Sequence, residues 1–396
     1  MHPPTSSDPS LRDPSPRDPL PRDIETVVVG GGILGLCVAG FLAAEGREVA
    51  IIDAGRPEGT TTNAGSLHVQ MQSRFMRMHP DQVPALESGL HLYPKAVAFW
   101  LELECHLDAD FGLKASGGLM VAESREQLDF LAKKAERERV LGLDVKILER
   151  AELDQIAPYL GPAVVGAELC ADEGRLDALK ANTALRRWVR RVGVVVIGET
   201  PVDRVSRDGV RFKLDTSRGT VSAATLVIAA GPGSRSLAEP FGLTLPVETE
   251  PLHMNITEPT DPFIGHLVQH ADRMITVKQL SSGHVVIGGG WPAELSPSED
   301  YAAVRLSSII GNTSLAQHIV PAIGRLRIIR TWAGINTPTG GPGILGPIQG
   351  AKGAFLAIPG EAGYTLGPLS ARLVADAVLG WRPTEDLEPC SPSRFQ

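Results

Sequence analysis

Val27-Val28-Val29-Gly30-Gly31-Gly32-Ile33-Leu34-Gly35, followed after an apolar stretch by Val49-Ala50-Ile51-Ile52-Asp53, decides how this chain reads. A β-branched run, a glycine turn, a helix-compatible segment from Leu36 to Glu45 and a second β-branched run spell strand, turn, helix, strand. Gly30 and Gly32 let the backbone turn tightly and approach a pyrophosphate. Gly35 lets the helix pack on its strand, and the helix N-terminus faces the phosphate charge. Asp53 closes the second strand about twenty residues on, placed to accept hydrogen bonds from a ribose. Glycine alone is weak evidence, since the chain has 42 of them in 396 residues. The ordered context is what makes this a dinucleotide-binding unit.

Thr26 to Ala44 is a 19-residue window without a charge, the length of a membrane span. Its clustered glycines and the immediate return to a strand fit the nucleotide-binding unit instead, so no transmembrane segment is expected. Residues 1–23 have no apolar core for a signal peptide; Arg-Asp pairs alternate there with prolines, and the segment reads as a disordered tail. With 43% apolar residues the chain can bury a sizeable core. A net charge of −8 argues against nucleic-acid or anionic-membrane surfaces. Four scattered cysteines form neither a metal-ligand spacing nor a disulfide framework, which fits a cytoplasmic protein.

Helical periodicity is predicted over Pro84–Leu103, Glu123–Val140 and Leu176–Val192, and a hairpin joins Val210–Asp215 to Thr220–Ser222 through Ser217-Arg218-Gly219. The strand Leu226-Val227-Ile228 then ends in Ala229-Ala230-Gly231, a small-residue turn of the kind that meets ligands at the edge of an α/β sheet. Strands at Leu252–Ile256, Met274–Lys278 and His284–Gly290 read as an antiparallel sheet. Near the end, Gly363-Tyr364-Thr365-Leu366-Gly367-Pro368 feeds an apolar helix from Leu369 to Leu379.

The N-terminal glycine motif, the mid-chain Ala-Ala-Gly and this C-terminal segment, in that order, resemble the FAD-dependent D-amino-acid oxidase, glycine oxidase and sarcosine oxidase superfamily over Ile24 to Trp381. Asn63-Ala64-Gly65-Ser66-Leu67-His68-Val69-Gln70 and Gly363 to Pro368 look most like the flavin-bearing subunits of opine oxidases, D-hydroxyproline dehydrogenases and hydrogen-cyanide synthases. The resemblance implies an α/β fold, a Rossmann-like FAD-binding domain interleaved with an antiparallel-sheet substrate domain. The FAD-binding part takes residues 24–84, 162–246 and 330–384, the substrate part 85–161 and 247–329, and 385–396 form a C-terminal tail.

Carried over residue by residue, the resemblance implies that Gly30, Gly32, Ile33, Leu34 and Gly35 hold the pyrophosphate of a noncovalent FAD, with Asp53 and Ala54 at the adenosine ribose. Thr61, Thr62, Asn63, Ala64, Gly65 and Ser66 line the flavin, Val202 meets the adenine, and Ala230 and Gly231 pass near the pyrophosphate. Amides of Gly363, Tyr364, Thr365 and Leu366 face the flavin N1/C2 edge, where the helix dipole favours negative charge. His68, Asn336 and Tyr364 are the candidate catalytic residues; His68, Trp332 and Asn336 are the candidate substrate contacts. No metal is implied. Relatives often carry arginine after the Trp-Ala-Gly segment, whose fork clamps a carboxylate; Asn336 stands at that place here.

The implied reaction is oxidation of a C–N bond in a secondary amine or a D-amino or imino acid, with hydride transfer to flavin N5 and hydrolysis of the imine. Electrons are expected to pass to partner subunits of a hetero-oligomer, and any membrane association is through a partner. The alternatives are a glycine or D-amino-acid oxidase using oxygen, a non-catalytic flavin-binding subunit and an NAD-dependent dehydrogenase.

Overall fold

The opening stretch builds the centre of the molecule: strand Asp23–Val29, helix Ile33–Ala44 and strand Val49–Ile52. In this computed structural model, which describes residues 19–56, 59–296 and 299–396, the two strands pair in parallel, Val29 opposite Ile52. A parallel pair needs a crossover, and the helix supplies it, buried continuously from Ile33 to Leu42. The uncharged window is therefore a covered crossover. Among the described residues no helix is long and apolar enough to cross a membrane. The expected disordered tail falls largely on residues 1–18, which lie outside the described residues; Asp23 already belongs to the first strand.

The first sheet runs Ile344–Pro347, Ala354–Ile358, Gly219–Ile228, Asp23–Val29, Val49–Ile52, Val195–Ile197. Along this row the pairing is parallel except at the Ile344–Pro347 edge, and Arg211–Thr216 and Val202–Asp208 add an antiparallel branch on Gly219–Ile228. Strand Gly219–Ile228 unites two predicted pieces: its first half pairs with Arg211–Thr216 as the expected hairpin, and its second half pairs with Asp23–Val29. No breaker lies between Ser222 and Thr225, so the chain has no reason to bend there. Ala230 and Gly231 thus emerge beside Gly30, at the carboxyl edge of adjacent strands.

The second sheet orders Ile328–Asn336, Glu250–Pro259, His284–Gly288, Thr276–Gln279, Leu267–His270, Gly118–Ala122, Gly166–Cys170 and Val145–Glu149. One face packs on an apolar core shared with helix Leu306–Ile319. Side chains at Gln269, Thr276 and Lys278 alternate onto the opposite face.

The expected segment boundaries shift. Gly166–Cys170 and residues 330–336 of strand Ile328–Asn336, assigned from sequence to the FAD-binding part, belong to the second sheet. Helix Leu92–His106, assigned to the substrate part, instead sends Val97, Trp100 and Leu103 into the core beneath helix Ile33–Ala44. Periodicity identifies an amphipathic element but not the element it covers. Residues 385–396 are not a loose tail either: Cys390 is buried, and Arg394 Nη2 donates to the Gly343 carbonyl at 2.9 Å.

The last helix starts earlier than its apolar run, at Gly363, and continues to Leu379 with Pro368 inside it. Proline has no N–H for the carbonyl four residues back. That carbonyl belongs to Tyr364, and Trp100 Nε1 donates to it at 3.0 Å. A buried acceptor orphaned by the sequence is satisfied from a distant helix.

Candidate functional site

Both sheets open onto a cleft of about 640 Å³. At one end the glycine turn forms a cradle that tolerates no side chain. Gly30 has φ +108°, and a Cβ there would lie 2.3 Å from the Ala229 carbonyl oxygen; a Cβ on Gly35 would lie 1.8 Å from the Gly30 oxygen. Gly31 N–H donates to Asp53 Oδ1 at 3.1 Å, so the acid at the end of the second strand braces the turn. The Thr60 hydroxyl accepts from Ile33 N–H at 2.9 Å, occupying one of the orphan donors of the helix N-terminus. Arg186 Nη2 donates to the Gly31 carbonyl at 3.3 Å.

The lining here includes Gly30, Gly32, Ile33, Leu34, Asp53, Ala54, Val202, Ala230 and Gly231, all expected at a dinucleotide. Gly35 works from behind, allowing close approach of helix and turn. The donor set fits a pyrophosphate: backbone amides, a helix N-terminus and a backbone pared of side chains. Thr60 begins the donor-rich run Thr60 to Ser66, which from sequence suits a segment lying along a ligand. Arg186 opens the basic cluster Arg186 to Arg191, which reads from sequence as a solvated helix face, yet its side chain reaches the glycine turn.

The cleft continues past Thr61, Thr62, Asn63, Ala64, Ser66 and His68 to Leu252, Met254, Thr276, Gly334 and Asn336. Here the loop after the second strand lies against the second sheet. Trp332 Nε1 donates to the Thr62 carbonyl at 2.8 Å, and a Cβ on Gly334 would meet Thr62 Oγ1 at 2.1 Å. His68 N–H donates to Thr365 Oγ1 at 3.0 Å, tying the loop to the N-terminus of the last helix. Ala362, Gly363, Tyr364 and Thr365 line this side, so the positive end of that helix faces the cleft.

Four expected residues take other places. The Tyr364 phenol is buried, stacked on Trp100 and bonded to Asn182 Oδ1 at 2.9 Å, so its side chain serves the core and only its main chain meets the cleft. The Leu366 amide closes the first helical turn on the Ala362 carbonyl at 2.9 Å, and its side chain packs with Leu92 and Ala96. Trp332 holds the loop and is not among the cleft-lining residues. Gly65 also lies behind the lining; its φ of +75° and the 2.2 Å approach of a Cβ to the Leu176 oxygen explain why glycine occupies it. Asn336 does line the cleft, with Nδ2 donating to Glu250 Oε2 at 3.0 Å.

Behind His68 lies a buried polar hub with no sequence signature. Glu173 accepts from the amides of Val69 and Gln70 at 2.9 and 3.2 Å and from the side chains of Gln70 and Gln269 at 2.9 and 2.7 Å. Lys134 Nζ bonds Gln70 Oε1 at 3.3 Å and the carboxylates of Glu138 and Glu168 at 2.9 and 2.7 Å. Burial pushes the Glu173 carboxyl up to about 7 and raises the Glu168 carboxyl against the opposing pull of Lys134. Burial, aided by the charge of Lys278, pushes the His68 imidazole down to about 4. His68 is therefore neutral at pH 7, a ring that accepts or relays a proton but adds no charge to the cleft.

Comparison with known proteins agrees with this geometry. The chain is 25% identical over 386 residues to one of the subunits of opine oxidase from Agrobacterium tumefaciens (strain Ach5), covering 94% of this chain and 98% of the relative. It is 28% identical over 373 residues to glycine oxidase of Geobacillus kaustophilus (strain HTA426), covering 93% and 97%. The crystal structure of glycine oxidase from Geobacillus kaustophilus superposes with a TM-score of 0.81 at 24% identity, over 95% of this chain and 100% of that one. The FAD dependent oxidoreductase family, DAO, matches residues 25–377, and the chain is a member of it.

Proposed function

We propose that this protein oxidises the C–N bond of a secondary amine or of a D-amino or imino acid, using noncovalently held FAD. The observation that carries this reading is the continuity of the cleft from the glycine cradle to a neutral face of the second sheet, formed by Leu252, Met254, Thr276 and Asn336 beside a neutral His68. Family membership removes the NAD-dependent alternative. The flavin, when bound, supplies the acceptor for the hydride leaving the α-carbon of the amine.

The chain's own residues then have limited tasks. The cradle and the two helix N-termini hold the cofactor. The sheet face excludes water and aligns the substrate. His68, uncharged, sits where an amine proton is taken up before the C–H bond breaks. A neutral amide at Asn336 in place of a guanidinium disfavours clamping a small free carboxylate, by about 1 kcal/mol at this partly exposed position. That favours a substrate with bulk beyond its carboxylate over glycine.

Electron transfer to a partner protein is supported by the likeness, along almost its whole length, to a subunit of opine oxidase. Direct use of oxygen is the second reading, supported by the likeness to glycine oxidase. We place the protein in the cytoplasm, with any membrane attachment through a partner. Anaerobic mixing with a panel of opines, D-proline derivatives, D-amino acids, sarcosine and glycine tests the central reading. At least one member bleaches the flavin; bleaching by none, with a partner fraction present, overturns it. Dye reduction without matching hydrogen peroxide assigns the partner route, and stoichiometric peroxide from the chain alone assigns oxygen.

A further inference from the structure

Lys278 lies on strand Thr276–Gln279 with no exposed surface. Its Nζ donates to Ser66 Oγ at 2.6 Å, and no carboxylate pairs with it among the described residues. Its neighbour Arg175 is nearly buried too and spends its guanidinium on neutral oxygens: the carbonyls of Gln279 and Gly265 and the Ser116 hydroxyl. Two buried cations thus stand together behind the loop without a counter-ion. Buried charges are ordinarily paired, so this corner of the fold holds uncompensated positive potential. Burial, with the Arg175 charge adding to it, lowers the Lys278 ammonium to about 7.

The orientation of one hydroxyl follows. An ammonium has three hydrogens and no lone pair, so below about pH 7, where Lys278 is charged, Ser66 Oγ is the acceptor in its bond with Lys278. The Ser66 proton is left to be given elsewhere, and Ser66 lines the cleft. We propose that Lys278 is a positioning residue that commits the Ser66 hydroxyl to donate, charge-assisted, to an anionic or carbonyl oxygen held in the cleft. Two sources carry such an oxygen: the flavin ring, whose reduced form is anionic, and the substrate carboxylate. The substrate source rests on the amine-oxidising reading above; the flavin source rests only on FAD. An acceptor with negative charge also favours the ammonium over the free amine, so binding and protonation reinforce each other.

The test uses flavin-loaded full-length protein carrying Lys278→Met, Ser66→Ala or both. Sulfite adds to the flavin ring as an anion, so its dissociation constant reads the stabilisation of negative charge on the ring. Benzoate binding, followed by perturbation of the flavin spectrum, reads the carboxylate source. Neither titration needs turnover, so both remain informative if no amine reduces the enzyme. We expect each single variant to weaken the same one of these two ligands roughly ten-fold, the loss of one charge-assisted bond, and the double variant to be no worse than Lys278→Met. Ser66→Ala removes one oxygen from a half-buried site and reports even if Lys278→Met fails to hold flavin. Sulfite and benzoate affinities within two-fold of the parent in Ser66→Ala overturn the proposal, as does an effect of Lys278→Met that Ser66→Ala does not share.

Discussion

The two ends of the cleft are built on opposite plans. At the cradle the backbone does the work and side chains are removed: Gly30 and Gly35 pack against carbonyl oxygens where a Cβ cannot fit. At the sheet face tight glycines such as Gly334 persist, but buried side chains carry most of the arrangement, with Glu173 binding four donors and Lys278 held on a single hydroxyl. The first plan is steric, the second electrostatic and assembled from segments about a hundred or more residues apart. The first should therefore fail abruptly on substitution, while the second should fail by degrees and with a pH signature.

The sharpest break is Gly35→Val. A Cβ 1.8 Å from the Gly30 oxygen forces helix and turn apart. We expect loss of bound flavin absorbance and destabilisation of about 4 kcal/mol or more in chemical denaturation. Retention of FAD at the parent affinity would show that the cradle is not sterically set.

Next comes the hub. Glu173→Gln turns one acceptor oxygen into a donor facing the side-chain amides of Gln70 and Gln269 and should cost about 3 kcal/mol. The Glu173 carboxyl rises from 4.5 to about 7 on folding, so the folded state binds more protons in that window. Its contribution is full below about pH 4.5 and is lost as the pH climbs through 7, and the penalty of Glu173→Gln narrows accordingly, by at most about 1.4 kcal/mol per pH unit. His68 has the opposite sign. Its ring falls from 6.5 to about 4 on folding, so its contribution is present above pH 6.5 and lost as the pH falls toward 4. The cost of His68→Asn should shrink on acidification over that window. Denaturation midpoints of both variants from pH 4 to 7 check the pair; slopes of the same sign contradict the arrangement.

Legibility follows the same division. Steric demands leave a trace at fixed spacing, so Gly30, Gly32, Gly35 and Asp53 could be read directly, and Ala230-Gly231 could be placed at the sheet edge. Glu173 lies in Asp172-Glu173-Gly174, indistinguishable from a surface turn. Its meaning appears only when Gly174–Arg175 pairs with Ser66–Leu67. Tyr364 misled for a related reason: a motif fixes where the main chain runs, whereas the direction of a side chain depends on partners such as Trp100 and Asn182. Lys278 offered a faint signal, a lysine closing an apolar run, but nothing in its neighbours in sequence separates a buried lysine from an exposed one.

The smallest effect sharpens the sheet-face end. Asn336→Arg restores a guanidinium at a half-buried position next to Glu250. Stability should stay within about 0.5 kcal/mol of the parent. Benzoate should bind tighter by no more than about five-fold, the ceiling for a partly exposed ion pair. A gain far above that would place Asn336 deeper in the substrate's path than its bond to Glu250 implies.

The indole of Trp100 has a consequence for assembly. The turn that points the last helix at the cleft contains a carbonyl that its own helix cannot satisfy, and the missing donor sits 264 residues earlier. That turn is not autonomous. Its carbonyl is satisfied only when a contact of very long sequence separation is in place, and such contacts slow folding because loop-closure entropy is lost before they form. A growing chain carries its glycine cradle early and its second cofactor wall last. Competence to take up FAD thus reports that nearly the whole polypeptide has found its partners.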